Sequence, residues 1–149
     1  MAETESQRID GFEAWLALMP DALDELVSEL PPEVSAKLDF SGQSLDVLEA
    51  YILGRYDGVA TILADPEKLR LDQLARYVGE TFRQSLGGNW FISYEDQSNV
   101  FYGLPQLTGL LGQRTQICPM TLVSACTDRR TGSYLRKIFE NHRARSGAS

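Results

Sequence analysis

Residues 65–90 read DPEKLRLDQLARYVGETFRQSLGGNW, and this stretch decides the fold. Asp65 can cap a helix, and Pro66 suits the first helical position, where its missing N–H is not needed. Leu71, Leu74, Ala75, Val78, Phe82 and Leu86 then recur at helical spacing as one apolar stripe. Gly87 and Gly88 stop the helix, because glycine enters a left-handed cap without a Cβ clash. The spacing predicts a helix over 66–86 as the central support of the domain.

Beyond the stop, Trp90 to Glu95 alternates as a strand does, with Trp90, Ile92 and Tyr94 on one face and Phe91 and Ser93 on the other. Asp96 to Asn99 reads as a turn, Val100 to Gly103 as the returning strand, and Pro105 to Gly112 as a loop. Two strands alone are marginal. A third is therefore expected around Arg114 to Ile117, or else close packing of the hairpin on the long helix. Pro119 can open a short helix through Cys126, and Tyr134 to His142 brings in Leu135, Ile138 and Phe139.

On the N-terminal side, Asp10 and Glu13 have capping-box spacing ahead of Phe12, Trp15, Leu16 and Met19. Pro20 interrupts that helix. Leu23, Leu26, Val27 and Leu30 continue at helical spacing until Pro31 and Pro32 stop it. Ser44 can cap a helix over 44–63 carrying Leu45, Leu48, Ile52, Tyr56, Val59 and Leu63; Gly54 and Gly58 either form a notch in it or break it near Asp57. The whole reads as one α+β domain over 1–149, four or five helices packed on a two- or three-stranded antiparallel sheet, with disordered ends at 1–9 and 143–149.

Composition narrows the function. The net charge of −7 is uneven: residues 1–72 hold 16 acids against five bases, a net of −11, whereas residues 73–149 hold five acids against nine bases, a net of +4. The acidic half could steer a basic protein partner. Arg129, Arg130, Arg136, Lys137, Arg143 and Arg145 have only Tyr134 nearby as a stacking surface, which argues against a nucleic-acid partner. No apolar run is long enough for a membrane span, and the polar, acidic start at Met1 to Ile9 does not read as a secretory signal. Cys118 and Cys126 read as buried free thiols of a reducing, cytoplasmic setting.

Asp72, Arg76 and Glu80 line up at intervals of four, with Arg83 three further on, so a solvated ion-pair stripe is the plain reading. Gly79 adds a second one, since glycine inside a strong helix marks a close approach. Tyr77, Glu80, Arg83 and Trp90 are on that basis the candidate binding residues, edging a pocket or interface. No catalytic residue is assigned: no second carboxylate, nucleophile or metal set is spaced towards Glu80. The single histidine, His142, supports no metal cluster and reads as an exposed group or a partner of a helix C-terminus. No phosphate-binding loop is present, and no cofactor is expected.

The Tyr77-Val78-Gly79-Glu80 helix followed by Gly87-Gly88-Asn89-Trp90, with Pro119, Leu122 and Val123 beyond, resembles a loose group of small uncharacterised bacterial proteins over about residues 65–140. Some of these resemble immunity or accessory proteins encoded near secreted toxins. The resemblance implies a non-catalytic protein-binding module. A small-molecule or enzymatic pocket near Glu80, and a structural homodimer, are the alternatives.

Overall fold

The computed structural model describes residues 4–94, 98, 101–111 and 116–146. Its long central helix, α6 (Lys68–Leu86), follows a single 3-10 turn at Asp65–Glu67 and ends at Gly87, whose φ of 75° lies in the left-handed region. Leu71, Leu74, Val78, Phe82 and Leu86 of its stripe are buried. Each contributes roughly 1.5–3 kcal/mol of burial. Around α6 pack α2 (Met19–Glu29), α7 (Pro119–Arg129) and α8 (Tyr134–Ser146), while α4 (Gly42–Arg55) lies against α8. The helix α1 (Glu5–Ala17) and the four-residue helices α3 (Pro32–Ser35) and α5 (Val59–Ile62) complete the set.

Eight α-helices are therefore present among the described residues, against the four or five expected. Breaks account for the excess. Pro31 and Pro32 end α2 but also place proline at the start of α3. The expected helix over 44–63 stops at Arg55, because Arg130 reaches across from the end of α7 and its guanidinium donates to the carbonyls of Leu53 and Tyr56, both at 2.9 Å. Those are last-turn acceptors, and a cation there completes the helix end. Its start also differs: Ser41 is the cap, and its hydroxyl accepts from the Ser44 amide. The first helix begins at Glu5 rather than at Asp10, because Thr4 and Gln7 form a reciprocal capping box.

The sheet has two antiparallel strands, β1 (Asn89–Phe91) and β2 (Gln106–Thr108), in the register Asn89↔Thr108, Trp90↔Leu107, Phe91↔Gln106. The return strand was expected at Val100 to Gly103, and Pro105 to Gly112 as a loop; β2 lies in that loop instead. Three residues are too few to show alternation, and Gln106 and Leu107, neighbours on opposite faces, are both fully buried. At the end of the expected third strand, Arg114 to Ile117, Ile117 forms one antiparallel bridge to Leu107, and Arg114 and Thr115 lie outside the described residues. The expected turn at Asp96 to Asn99, apart from Ser98, lies outside the described residues, as do Glu95, Val100 and residues 112–115.

Candidate functional site

Gly79 brings the sheet onto α6. A Cβ at this position would overlap the six-membered ring of Trp90 and sit 3.0 Å from Cγ of Pro119. With the indole against bare backbone, its Nε1–H donates to the Glu80 carboxylate at 3.3 Å, and the Arg83 guanidinium donates to both oxygens of the same carboxylate. That bond raises the pKa of Arg83, while its own partial burial acts the other way. Glu80 is thus fully engaged in joining α6 to β1.

The same ring meets the N-terminal helix. Trp15 and Trp90 pack edge to face with centroids 5.0 Å apart. The Trp15 Nε1–H donates to Asp72 at 2.8 Å, and Arg76, paired with Asp72, lies 4.1 Å over the Trp15 ring and donates to the Trp15 carbonyl. Asp72, Arg76 and Glu80 do form a stripe, but not a solvated one: Arg76 and Glu80 are buried. The space beside it, between Trp15, Ala75, Trp90, Pro105, Pro119 and Met120, has no room for a water molecule.

Tyr77 points elsewhere. Its hydroxyl donates to Ser44 Oγ at 2.8 Å and accepts from the Phe40 amide at 2.9 Å, and its ring stacks on Phe40, which has a φ of 62°. It secures the turn entering α4, and burial raises its pKa. Of the four candidates, Glu80, Arg83 and Trp90 come together and Tyr77 does not join them.

Sequence reasoning missed a groove of about 790 Å³ between α1 and the chain segment 91–94. Ile9, Phe12, Leu16, Phe91, Ile92 and Tyr94 form its apolar lining, with Glu5 and Glu13 on the α1 side. Arg8 lies 4.9 Å over the Tyr94 ring. The helix α1 has no fully buried residue, so its apolar side chains remain available to the groove. The size falls within the range of ordinary binding clefts. The signal lay in Ile9, Phe12 and Leu16, which share a helix face only if the helix starts at Glu5.

Other reactive groups are sequestered. Cys118 and Cys126 are free and buried; burial, then the nearby Glu49 charge, pushes the Cys126 thiol up to about 12, and burial also raises Cys118. His142 is buried against Phe82 rather than exposed at a helix end, with ring centroids 5.9 Å apart. Among the described residues no group of three His, Cys, Asp or Glu side chains is placed to hold a metal ion. No described helix is long and apolar enough to cross a membrane.

Fold and site together define an α+β helical domain with an apolar groove, edged by Glu5, Arg8 and Glu13, beside a short sheet. Protein-family models, curated proteins and solved structures give no match to the chain.

Proposed function

We propose that the chain is a non-catalytic, immunity- or accessory-like binding module that takes a basic, partly apolar segment of a partner protein into the groove between α1 and residues 91–94. The observation that carries this reading is the groove itself: an apolar floor whose helical wall bears Glu5 and Glu13, with Arg8 between them set over the Tyr94 ring, and with Asp10, Asp21, Asp24, Glu25 and Glu29 exposed on the two N-terminal helices α1 and α2. An apolar centre supplies affinity, and the surrounding charge selects the sign of the partner and speeds encounter. A reducing, cytoplasmic setting belongs to this reading and is supported by the two unbridged cysteines.

The test is a titration of isotope-labelled protein with two basic probes, an amphipathic Leu/Lys helical peptide and an alternating Val/Lys peptide, with Glu-containing counterparts as controls. Localised amide shifts at Ile9, Phe12, Leu16 and Phe91 to Tyr94, weakening as salt rises and absent with the acidic peptides, are the expected result. Shifts with neither basic peptide, or equal shifts with the acidic ones, would overturn the reading.

A further inference from the structure

The way in which a segment would sit in the groove follows from the hydrogen-bond geometry of the sheet. Leu107 exchanges both backbone bonds with Ile117, its N–H donating at 2.8 Å and its C=O accepting at 3.0 Å. Its polar groups therefore face away from β1, and Trp90↔Leu107 is the non-hydrogen-bonded pair of the β1–β2 ladder. Asn89 and Phe91 supply the ladder bonds to β2. Trp90 then directs its N–H and C=O outward. The alternation continues past the strand, for the Ser93 carbonyl turns inward to accept from the Gly103 amide at 2.8 Å, which leaves Ile92 facing outward like Trp90. Among the described residues, none beyond β2 bonds the backbone of Trp90 or Ile92.

This outer edge faces the groove. Phe91, Ile92, Ser93 and Tyr94 all line it, although consecutive residues of an extended chain point to opposite faces. Four in a row at one groove bring the backbone of the last β1 residue and of the three residues that follow it into that wall, with Trp90 next to it in the chain. The opposite wall is α1, with Ile9, Phe12 and Leu16. A strand edge with unused donors and acceptors, set beside a helix that offers apolar contacts, is the arrangement that accepts an extended peptide by strand addition.

We infer that the partner segment binds as an added β-strand along the outer edge of residues 90–92, its alternate side chains directed at Ile9, Phe12 and Leu16 and its basic residues towards Glu5 and Glu13. The inference rests on the groove reading above and specifies its occupant: an extended segment of a partner protein, alternating apolar and basic residues. Trp90 and Ile92 each contribute one donor and one acceptor, and the extended form of the segment follows from the edge, not from its charge.

The experiment uses the full chain with the alternating Val/Lys peptide, unmodified or N-methylated at every second amide in either of the two phases. Methylation in the phase that faces the edge is expected to weaken binding by about tenfold or more, whereas the other phase stays within about threefold of the parent, because only the first removes donors the edge requires. Peptide binding should also slow hydrogen exchange at the Trp90 and Ile92 amides. The variant Ile92→Pro, which deletes one outward donor, should lose the peptide while its thermal midpoint stays close to that of the parent. If the Leu/Lys helical peptide alone binds, or if both methylation phases weaken binding equally with no change in exchange at Trp90 and Ile92, strand addition is wrong and the groove reading survives. If neither peptide binds, both fall.

Discussion

Trp90 lies against the bare backbone of Gly79, and this contact fixes the distance between the sheet and the central helix. A methyl group at 79 would have to displace a ring that is also held by Glu80 and packed on Trp15. Gly79→Ala should therefore destabilise the protein by about 1–3 kcal/mol, despite the better helix propensity of alanine. Urea unfolding followed by tryptophan fluorescence checks this. An unchanged or raised midpoint would mean that the sheet is free to shift.

Gln73 offers the opposite outcome. It is fully buried on α6, and neither amide atom meets a hydrogen-bond partner among the described residues. Gln73→Leu keeps a similar volume and removes two desolvated polar atoms, so a gain of about 1 kcal/mol is expected. A fall in the urea midpoint would show that the amide is paired.

Glu49 is a buried carboxylate on α4 that accepts from the amides of Tyr134 at 3.2 Å and Leu135 at 2.9 Å, the first residues of α8. Removing it with Glu49→Ala strands both donors, at a cost of about 1–3 kcal/mol. Glu49→Gln retains one acceptor and should lose less. Chemical denaturation of the two variants side by side tests the order, and equal losses would deny the capping role.

The pH dependence follows from His142. Burial, then the charge of Arg145, lowers its folded pKa below the unfolded value near 6.5. The unfolded chain therefore binds the proton more readily, and stability from this residue is full above about pH 6.5 and falls as the pH drops below it. His142→Gln should flatten that part of the profile. A midpoint that rises on acidification through this range would contradict the sign.

The central helix was legible because its signal is local: one stripe from Leu71 to Leu86 with a glycine stop. The approach at Gly79 was legible too, and so was the Glu80, Arg83 and Trp90 grouping. What escaped the sequence was set by distant partners. Gly54 and Gly58 allowed a break near Asp57, but the contact that completes the end of α4 comes from Arg130, 74 and 77 residues away. The position of β2 depends on Leu107 meeting Ile117, and with Gln106 and Leu107 both buried the strand has no alternation to reveal it. Tyr77 was grouped with Glu80 because residues three apart adjoin on a helix, yet its hydroxyl is held by Ser44 and the Phe40 amide, partners 33 and 37 residues away. The groove needed α1 to begin at Thr4 and Gln7, whose box was masked by the more acidic pairing of Asp10 and Glu13.

The Arg130 clamp has a consequence for synthesis. The closing carbonyls of Leu53 and Tyr56 leave the ribosome long before the guanidinium that satisfies them. A nascent chain halted ahead of position 130 holds that turn open to water, so maturation of the N-terminal half waits on synthesis of α7 through Arg130, and chains stopped before it should be ready targets for proteolysis.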